Sequence, residues 1–257
     1  MNKRAQELAA FSRLLDIMDD LRLKCPWDKK QTLGSLRHLT IEETYELSDA
    51  ILTMDLPEIE KELGDVLLHI VFYAKIGSET GDFDITSVCE AISNKLIERH
   101  PHIYGDLELN SEEEVKQNWE KLKLKEGKKS VLEGVPKSLP SLIKAYRIQD
   151  KVAGVGFDWE KDEQVLDKLK EELQELKEEI ASNDKDAMEA EFGDVLFSMI
   201  NYARFLGINP DQALERTNKK FIQRFQYLEE QATSLGKSLK DMSLDEMNVY
   251  WEQAKKH

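Results

Sequence analysis

Apolar residues recur with a helical period along most of this chain. Leu63, Val66, Leu67, Ile70, Val71 and Ala74 fall at i, i+3, i+4, i+7, i+8 and i+11, the spacing of a helix with one buried stripe. Phe192, Val195, Leu196, Met199, Ile200 and Ala203 repeat the same pattern. Residues 162–181, rich in Leu, Glu and Lys, predict a further amphipathic helix. Ser111 with Glu114, and Ser243 with Glu246, have the spacing of capping boxes, and Asn209-Pro210 that of a cap followed by a first-turn proline. No segment sustains the two-residue alternation of a β-hairpin. The expected fold class is all-α.

The chain also repeats itself. At one constant offset Glu42, Glu43, Glu46 and Leu47 fall on Glu171, Glu172, Glu175 and Leu176. The same offset carries Glu62, Gly64, Asp65, Val66 and Leu67 onto Glu191, Gly193, Asp194, Val195 and Leu196, and Tyr73-Ala74 onto Tyr202-Ala203. Lys95 and Arg99 match Lys220 and Arg224 with a small drift, as do Ser111, Glu114 and Trp119 with Ser243, Glu246 and Trp251. Such drifts are loop-length changes between helices. The period is too long for a solenoid and predicts a duplicated domain. Gly127, Gly134, Pro136 and Pro140, beside Lys125, Lys128 and Lys129, mark a junction. The expected organisation is a first domain over residues 1–127, a linker over 128–140 and a second domain over 141–257, each domain with about five helices.

Charge and composition narrow the function. Charged residues make up 34% of the 257 and the formal net charge is −15, which opposes binding to nucleic-acid backbones. An acidic protein still binds a phosphorylated small molecule when a divalent cation bridges the two. Cys25 and Cys89 form no metal-binding or disulfide pattern, no apolar run is long enough for a membrane span, and the first residues lack a signal-peptide core. The expectation is a cytoplasmic protein with neither nucleic acid nor membrane as partner.

The acids carry the chemistry. Each half has Glu-Glu-x-x-Glu followed by Glu-x-x-Asp: Glu42, Glu43, Glu46, Glu62 and Asp65, then Glu171, Glu172, Glu175, Glu191 and Asp194. Residues three or four apart share a helix face, so two antiparallel helices joined at Asp55-Leu56-Pro57, or at Ser182-Asn183-Asp184, aim four carboxylates at one point. Like charges so placed repel, and Glu62 and Asp65 sit in a strongly apolar segment. A hard cation resolves this, and Mg²⁺ takes oxygen ligands while also binding substrate phosphates.

These motifs, with Cys25-Pro26-Trp27-Asp28 and its counterpart Gly156-Phe157-Asp158-Trp159, resemble the MazG family of all-α nucleoside triphosphate pyrophosphohydrolases in its tandem form. The resemblance covers nearly the whole chain. It implies hydrolysis of a nucleoside triphosphate between the α- and β-phosphates, giving monophosphate and pyrophosphate. It implies Mg²⁺, with Mn²⁺ as a substitute, held by Glu43, Glu46, Glu62 and Asp65 and by Glu172, Glu175, Glu191 and Asp194. Glu42 and Glu171 are then candidates to orient or deprotonate the attacking water. It places triphosphate contacts at Lys168, at Lys220 and Arg224, and at Lys95 and Arg99, and inclines Trp251, with Trp119 as its counterpart, toward nucleotide contact.

His69, four residues after Asp65, has Ser198 as its counterpart, and the expectation for it is structural. Amphipathic helices in a half this small predict a homodimer. Lys168, Lys170, Lys219 and Lys220 predict a second half more active than the first. Two rival classes are a non-enzymatic dimerisation scaffold, which leaves the paired acids unexplained, and a carboxylate-bridged di-metal oxidoreductase, whose Glu-x-x-His pairs do not occur in the chain.

Overall fold

The computed structural model describes residues 2–111, 114, 115, 118, 119, 122 and 130–256. Among them, ten α-helices have defined bounds, with two short 3-10 turns and no strand. The chain divides into two units, Met1–Leu109 and Asn110–His257. Gly127 and the Lys125, Lys128 and Lys129 cluster lie outside the described residues, whereas residues 130–140 are mostly turns.

The first unit holds α1 (Lys3–Lys24), a 3-10 turn (Asp28–Lys30), α2 (Leu33–Thr53), α3 (Leu56–Thr80), α4 (Ile85–Arg99) and the single turn α5 (Pro101–Tyr104). Each main helix begins where a short polar side chain takes an orphan amide. Asn2 accepts from Ala5 N, Asp55 from Glu58 N, and Thr32 with Ser35 and Asp84 with Ser87 close reciprocal boxes. The α2–α3 connection is tighter than the sequence suggested. Met54 takes a left-handed conformation (φ 56°), Asp55 caps, and Leu56-Pro57 already belong to α3, since proline fits a first turn.

The second unit holds α6 (Ser141–Ala153), α7 (Asp162–Ser182), α8 (Lys185–Phe205), α9 (Pro210–Ser234), a 3-10 turn (Leu239–Asp241) and α10 (Leu244–Ala254). Its α7–α8 hairpin copies α2–α3: Asn183 is left-handed (φ 62°) and Asp184 caps α8. The Asn209 cap and the Ser243–Glu246 box form as expected. At Ser111 the hydroxyl accepts from Glu114 N, but the Glu114 carboxylate takes the amide of Asn110 instead of closing the box.

Met18, Leu36, Val71 and Phe72 form the core of the first unit, with Leu15, Leu39, Leu68 and Ile76 against them. Val165, Val195, Ile200, Leu228 and Ala232 are buried in the second. The expected single buried stripe needs correction. On α3 Val71 and Ala74 are buried, but Leu63, Leu67 and Ile70 are exposed; on α8 Val195 and Ile200 are buried, but Phe192, Leu196 and Met199 are exposed. The apolar residues are too many for one contact face, and the acids occupy part of the inner one. The outward rows fall at i, i+4 and i+7, at equivalent positions in both units.

Candidate active site

The α2–α3 hairpin brings Glu43, Glu46 and Glu62 together, with one carboxylate oxygen from each within 4.8 Å of the others. The α7–α8 hairpin does the same for Glu172, Glu175 and Glu191. Capped antiparallel helices make this possible: the short turn fixes the register, and the i, i+3 spacing turns two acids of each first helix toward the second.

Burial is uneven. Glu62 is 1% exposed and Glu172 is 7% exposed, whereas Glu46 and Glu175 lie open to solvent. Burial first, and then mutual repulsion, favours the protonated form in the clusters. Burial pushes the Glu43 carboxyl above the usual carboxylate range, and Asp65, Glu46, Glu62 and Glu42 push it further. Burial and then Glu172 raise Glu175 likewise.

Lysines offset part of this charge. Lys168, one turn before the acids on α7, donates to Glu171 at 2.7 Å and pairs with Glu172 at 2.8 Å. In the first unit the ammonium comes from Lys61, which donates to Glu58 at 2.7 Å and to Glu62 at 2.8 Å and holds the Glu62 carboxyl below its usual range. Sequence reasoning missed Lys61. Its counterpart is Ala190, and the counterpart of Lys168 is Leu39, so the duplication hid the equivalence. Lys61 thus gives the first cluster a lysine of its own, as Lys168 does the second. Glu62 Oε2 stays buried with no hydrogen-bond partner, a costly arrangement for an anionic oxygen and a fit for a cation.

The remaining candidates divide. Asp65 stands close enough to act on both Glu43 and His69. Asp194 lies one turn after Glu191, exposed, and is not among the three acids within 4.8 Å. Glu42 and Glu171 flank their clusters on the exposed side. Arg224 and Trp251 meet: the guanidinium lies 5.9 Å from the indole centroid, and Trp251 packs on Phe221 at 5.0 Å. Lys220 and Arg224 line one side of a cavity on α9 together with Tyr227 and Glu230. Lys95 is exposed on α4, with Arg99 one turn on. Trp119 lies in helical backbone of the second unit, half-buried.

His69, expected to be structural, is 7% exposed and bonded, and a second polar feature, Arg22, escaped the sequence reading. Thr40 Oγ1 lies 2.8 Å from His69 Nδ1 and 2.6 Å from the Tyr73 hydroxyl, tying α2 to α3 inside the first unit. Arg22 forms a two-pronged pair with Glu79, at 2.8 and 2.7 Å, and donates to the carbonyls of Asp28 and Gln31. For Arg22 the signal was an arginine at a helix end, common enough to pass unremarked.

The model of the MazG nucleotide pyrophosphohydrolase domain matches residues 31–104 and again residues 160–228. Each match contains one complete acid hairpin. The chain belongs to the MazG family. It is 41% identical to the nucleoside triphosphate pyrophosphohydrolase of Escherichia coli K12 over 96% of this chain and 97% of that one. It is 42% identical to the nucleoside triphosphate pyrophosphohydrolase/pyrophosphatase MazG of Thermotoga maritima, over 95% of each. A Bacillus subtilis protein named YabN is 44% identical over 95% of this chain, which spans 51% of that longer protein. MazG membership makes this chain a hydrolase of nucleotide anhydrides and sets aside the scaffold and oxidoreductase readings. Among the described residues no helix is long and apolar enough to cross a membrane.

Proposed function

We propose that this MazG protein hydrolyses nucleoside triphosphates between the α- and β-phosphates, in the presence of Mg²⁺, to monophosphate and pyrophosphate. The observation that carries the reading is the pair of three-carboxylate clusters, each on a capped helix hairpin, with Glu62 Oε2 buried and unpaired in the first. Oxygen-only donors that retain solvent on one side suit Mg²⁺, with Mn²⁺ able to replace it.

Glu43, Glu46, Glu62 and Asp65 would hold the metal in the first unit, and Glu172, Glu175, Glu191 and Asp194 in the second. The bound cation supplies charge neutralisation and a polarised water. The chain's own groups do the rest. Glu42 and Glu171, on the solvent side, orient that water and accept its proton. Lys168, Lys220 and Arg224 meet the triphosphate in the second unit, Lys95 and Arg99 in the first. Trp251, with Trp119 as its counterpart, borders the nucleotide.

By the sequence repeat the domains run from 1 to 127 and from 141 to 257, joined by 128–140, whereas the structure divides into units at Leu109 and Asn110. The outward rows Leu63, Leu67, Ile70 and Phe192, Leu196, Met199 support a homodimer, because paired copies would cover them. The protein works in the cytoplasm, away from membrane and nucleic acid, clearing aberrant nucleotides from the triphosphate pool. The test is product identity: with Mg²⁺, each triphosphate should yield monophosphate and pyrophosphate. Diphosphate and orthophosphate would overturn the assigned bond.

A further inference from the structure

The Thr40 hydroxyl makes three hydrogen bonds, two of them from α2 to α3. Its oxygen lies 3.0 Å from the Leu36 carbonyl, 2.8 Å from His69 Nδ1 and 2.6 Å from the Tyr73 hydroxyl. Only one placement of protons satisfies all three. A carbonyl only accepts, so the Thr40 proton goes to Leu36. The two lone pairs of the oxygen then accept from the Tyr73 O–H and from His69 Nδ1–H. The full capacity of the hydroxyl is used, and His69 carries its proton on Nδ1. The surroundings are sheltered, with Leu36 and His69 buried and Tyr73 packed on the core, and a low-dielectric setting strengthens each bond.

This node stands one turn from the acids. Thr40 precedes Glu43 by three residues on α2, about 4.5 Å along the axis, and His69 follows Asp65 by four on α3, about 6 Å. Residues at these spacings share a helix face. The two faces that meet at Glu43 and Glu62 are therefore tied together at Thr40, His69 and Tyr73. Glu43 and Glu46 on α2 repel Glu62 on α3 across a gap of less than 4.8 Å, and the node opposes their separation.

The second unit is built differently at these positions. Leu169, Ser198 and Tyr202 take the places of Thr40, His69 and Tyr73, and a leucine side chain offers no hydrogen bond. Lys168, beside Leu169, bonds Glu171 and Glu172 of its own helix.

We propose that Thr40 is a positioning residue of the first acid cluster: by tying α2 to α3 it fixes the gap between Glu43 and Glu62 and makes the first unit select its cation by size. The assignment rests on the reading of the acid hairpins as metal sites and deepens it. Mg²⁺ needs oxygens at about 2.0–2.1 Å in near-ideal geometry, whereas Ca²⁺ accepts about 2.3–2.6 Å in looser surroundings. A gap that cannot widen favours the smaller ion.

The test uses the full-length protein with Glu172, Glu175 and Glu191 each changed to Gln, which disables the second cluster. Mn²⁺ is titrated and followed by its electron paramagnetic resonance, then displaced by Mg²⁺ and by Ca²⁺. Thr40→Val keeps the branched shape and loses the hydroxyl. It should weaken Mn²⁺ and Mg²⁺ about fivefold to tenfold and leave Ca²⁺ nearly unchanged. That is at or below the low end of the 10–100-fold loss for an outer partner of a metal site, because Thr40 acts through helix spacing and not on an acid itself. Thr40→Ser, which keeps the hydroxyl, should restore the parental ratio of the ions. Tyr73→Phe removes one tie with less loss of packing and should move the ratio in the same direction, so that the question is answered even where Thr40→Val does not fold. Equal loss of all three ions would mean a general structural effect and would overturn the proposal. An unchanged ratio in the folded variants would do the same, as would a parent that binds no Mn²⁺. Product analysis of the unaltered protein with Mg²⁺ is separate: absence of pyrophosphate would count against the pyrophosphohydrolase reading while leaving the ion ratio intact.

Discussion

Lys61 reaches Glu62 at 2.8 Å, setting an ammonium against the most deeply buried acid of the first cluster. The second cluster receives its ammonium from the other helix of the hairpin, where Lys168 meets Glu172. The duplicated units thus balance the same excess of negative charge by different residues.

Removing Lys61 should therefore expose the repulsion it offsets. Lys61→Ala is expected to lower the melting temperature of the metal-free protein and to enlarge the rise caused by added Mg²⁺, since the cation takes over the neutralising role. Differential scanning calorimetry with and without Mg²⁺ reads both. An unchanged Mg²⁺ increment would mean that the ammonium and the metal do not share the cluster.

His69 predicts a pH response. Burial holds its imidazole below the ordinary range, against a weaker upward pull from Asp65. A depressed pKa means that the unfolded chain binds the proton first. The stability contribution is present above the unfolded value, near 6.5, and is lost as pH falls below it toward the folded value. His69→Gln, which stays neutral and can still bond Thr40, should flatten this acid-side slope. Chemical denaturation between pH 7.5 and about 5 would show it. A slope unaltered by the substitution would assign it to other groups.

Arg22 should matter more than an ordinary surface cation. Its side chain is 10% exposed, it pairs doubly with Glu79, and it holds the carbonyls of Asp28 and Gln31 at the 3-10 turn that follows α1. Arg22→Ala is expected to cost about 2 kcal/mol, below the range for a fully buried pair because Glu79 is partly solvated. The Arg22 hydrogen bond holds the Glu79 carboxyl below its usual range. That share of stability is present above the ordinary carboxylate pKa and disappears as pH falls through the depressed one. The parent should lose more stability than the variant on acidification.

Much of this architecture is readable from residues alone. The helix caps at Asn209 and Ser243, the acid hairpins and their duplication follow from spacing, because caps and i, i+3 relations are local. What escaped depends on contacts distant in sequence. Arg22 finds Glu79, Gln149 finds Phe197, and Arg204 finds Asp158 only after the helices pack. The outward placement of Leu63 and Phe192 escaped for another reason: periodicity marks an apolar stripe but not which part of it a second surface must cover.

Those outward rows give a prediction of association. Leu196→Asp with Leu67→Asp places a charge in the middle of each row and should shift the protein toward monomer in sedimentation velocity, with little loss of helicity. Unchanged sedimentation would remove the rows from any dimer interface.

The most direct measurement separates the reaction products of one triphosphate with Mg²⁺, for the parent protein and for a variant carrying Glu62→Ala and Glu191→Ala. The account predicts equal amounts of monophosphate and pyrophosphate from the parent. It predicts a fall of at least about a hundredfold in the variant, since loss of even an outer partner of a metal site costs 10–100-fold. A folded variant that still released pyrophosphate at the parental rate would contradict the assignment of catalysis to the acid hairpins.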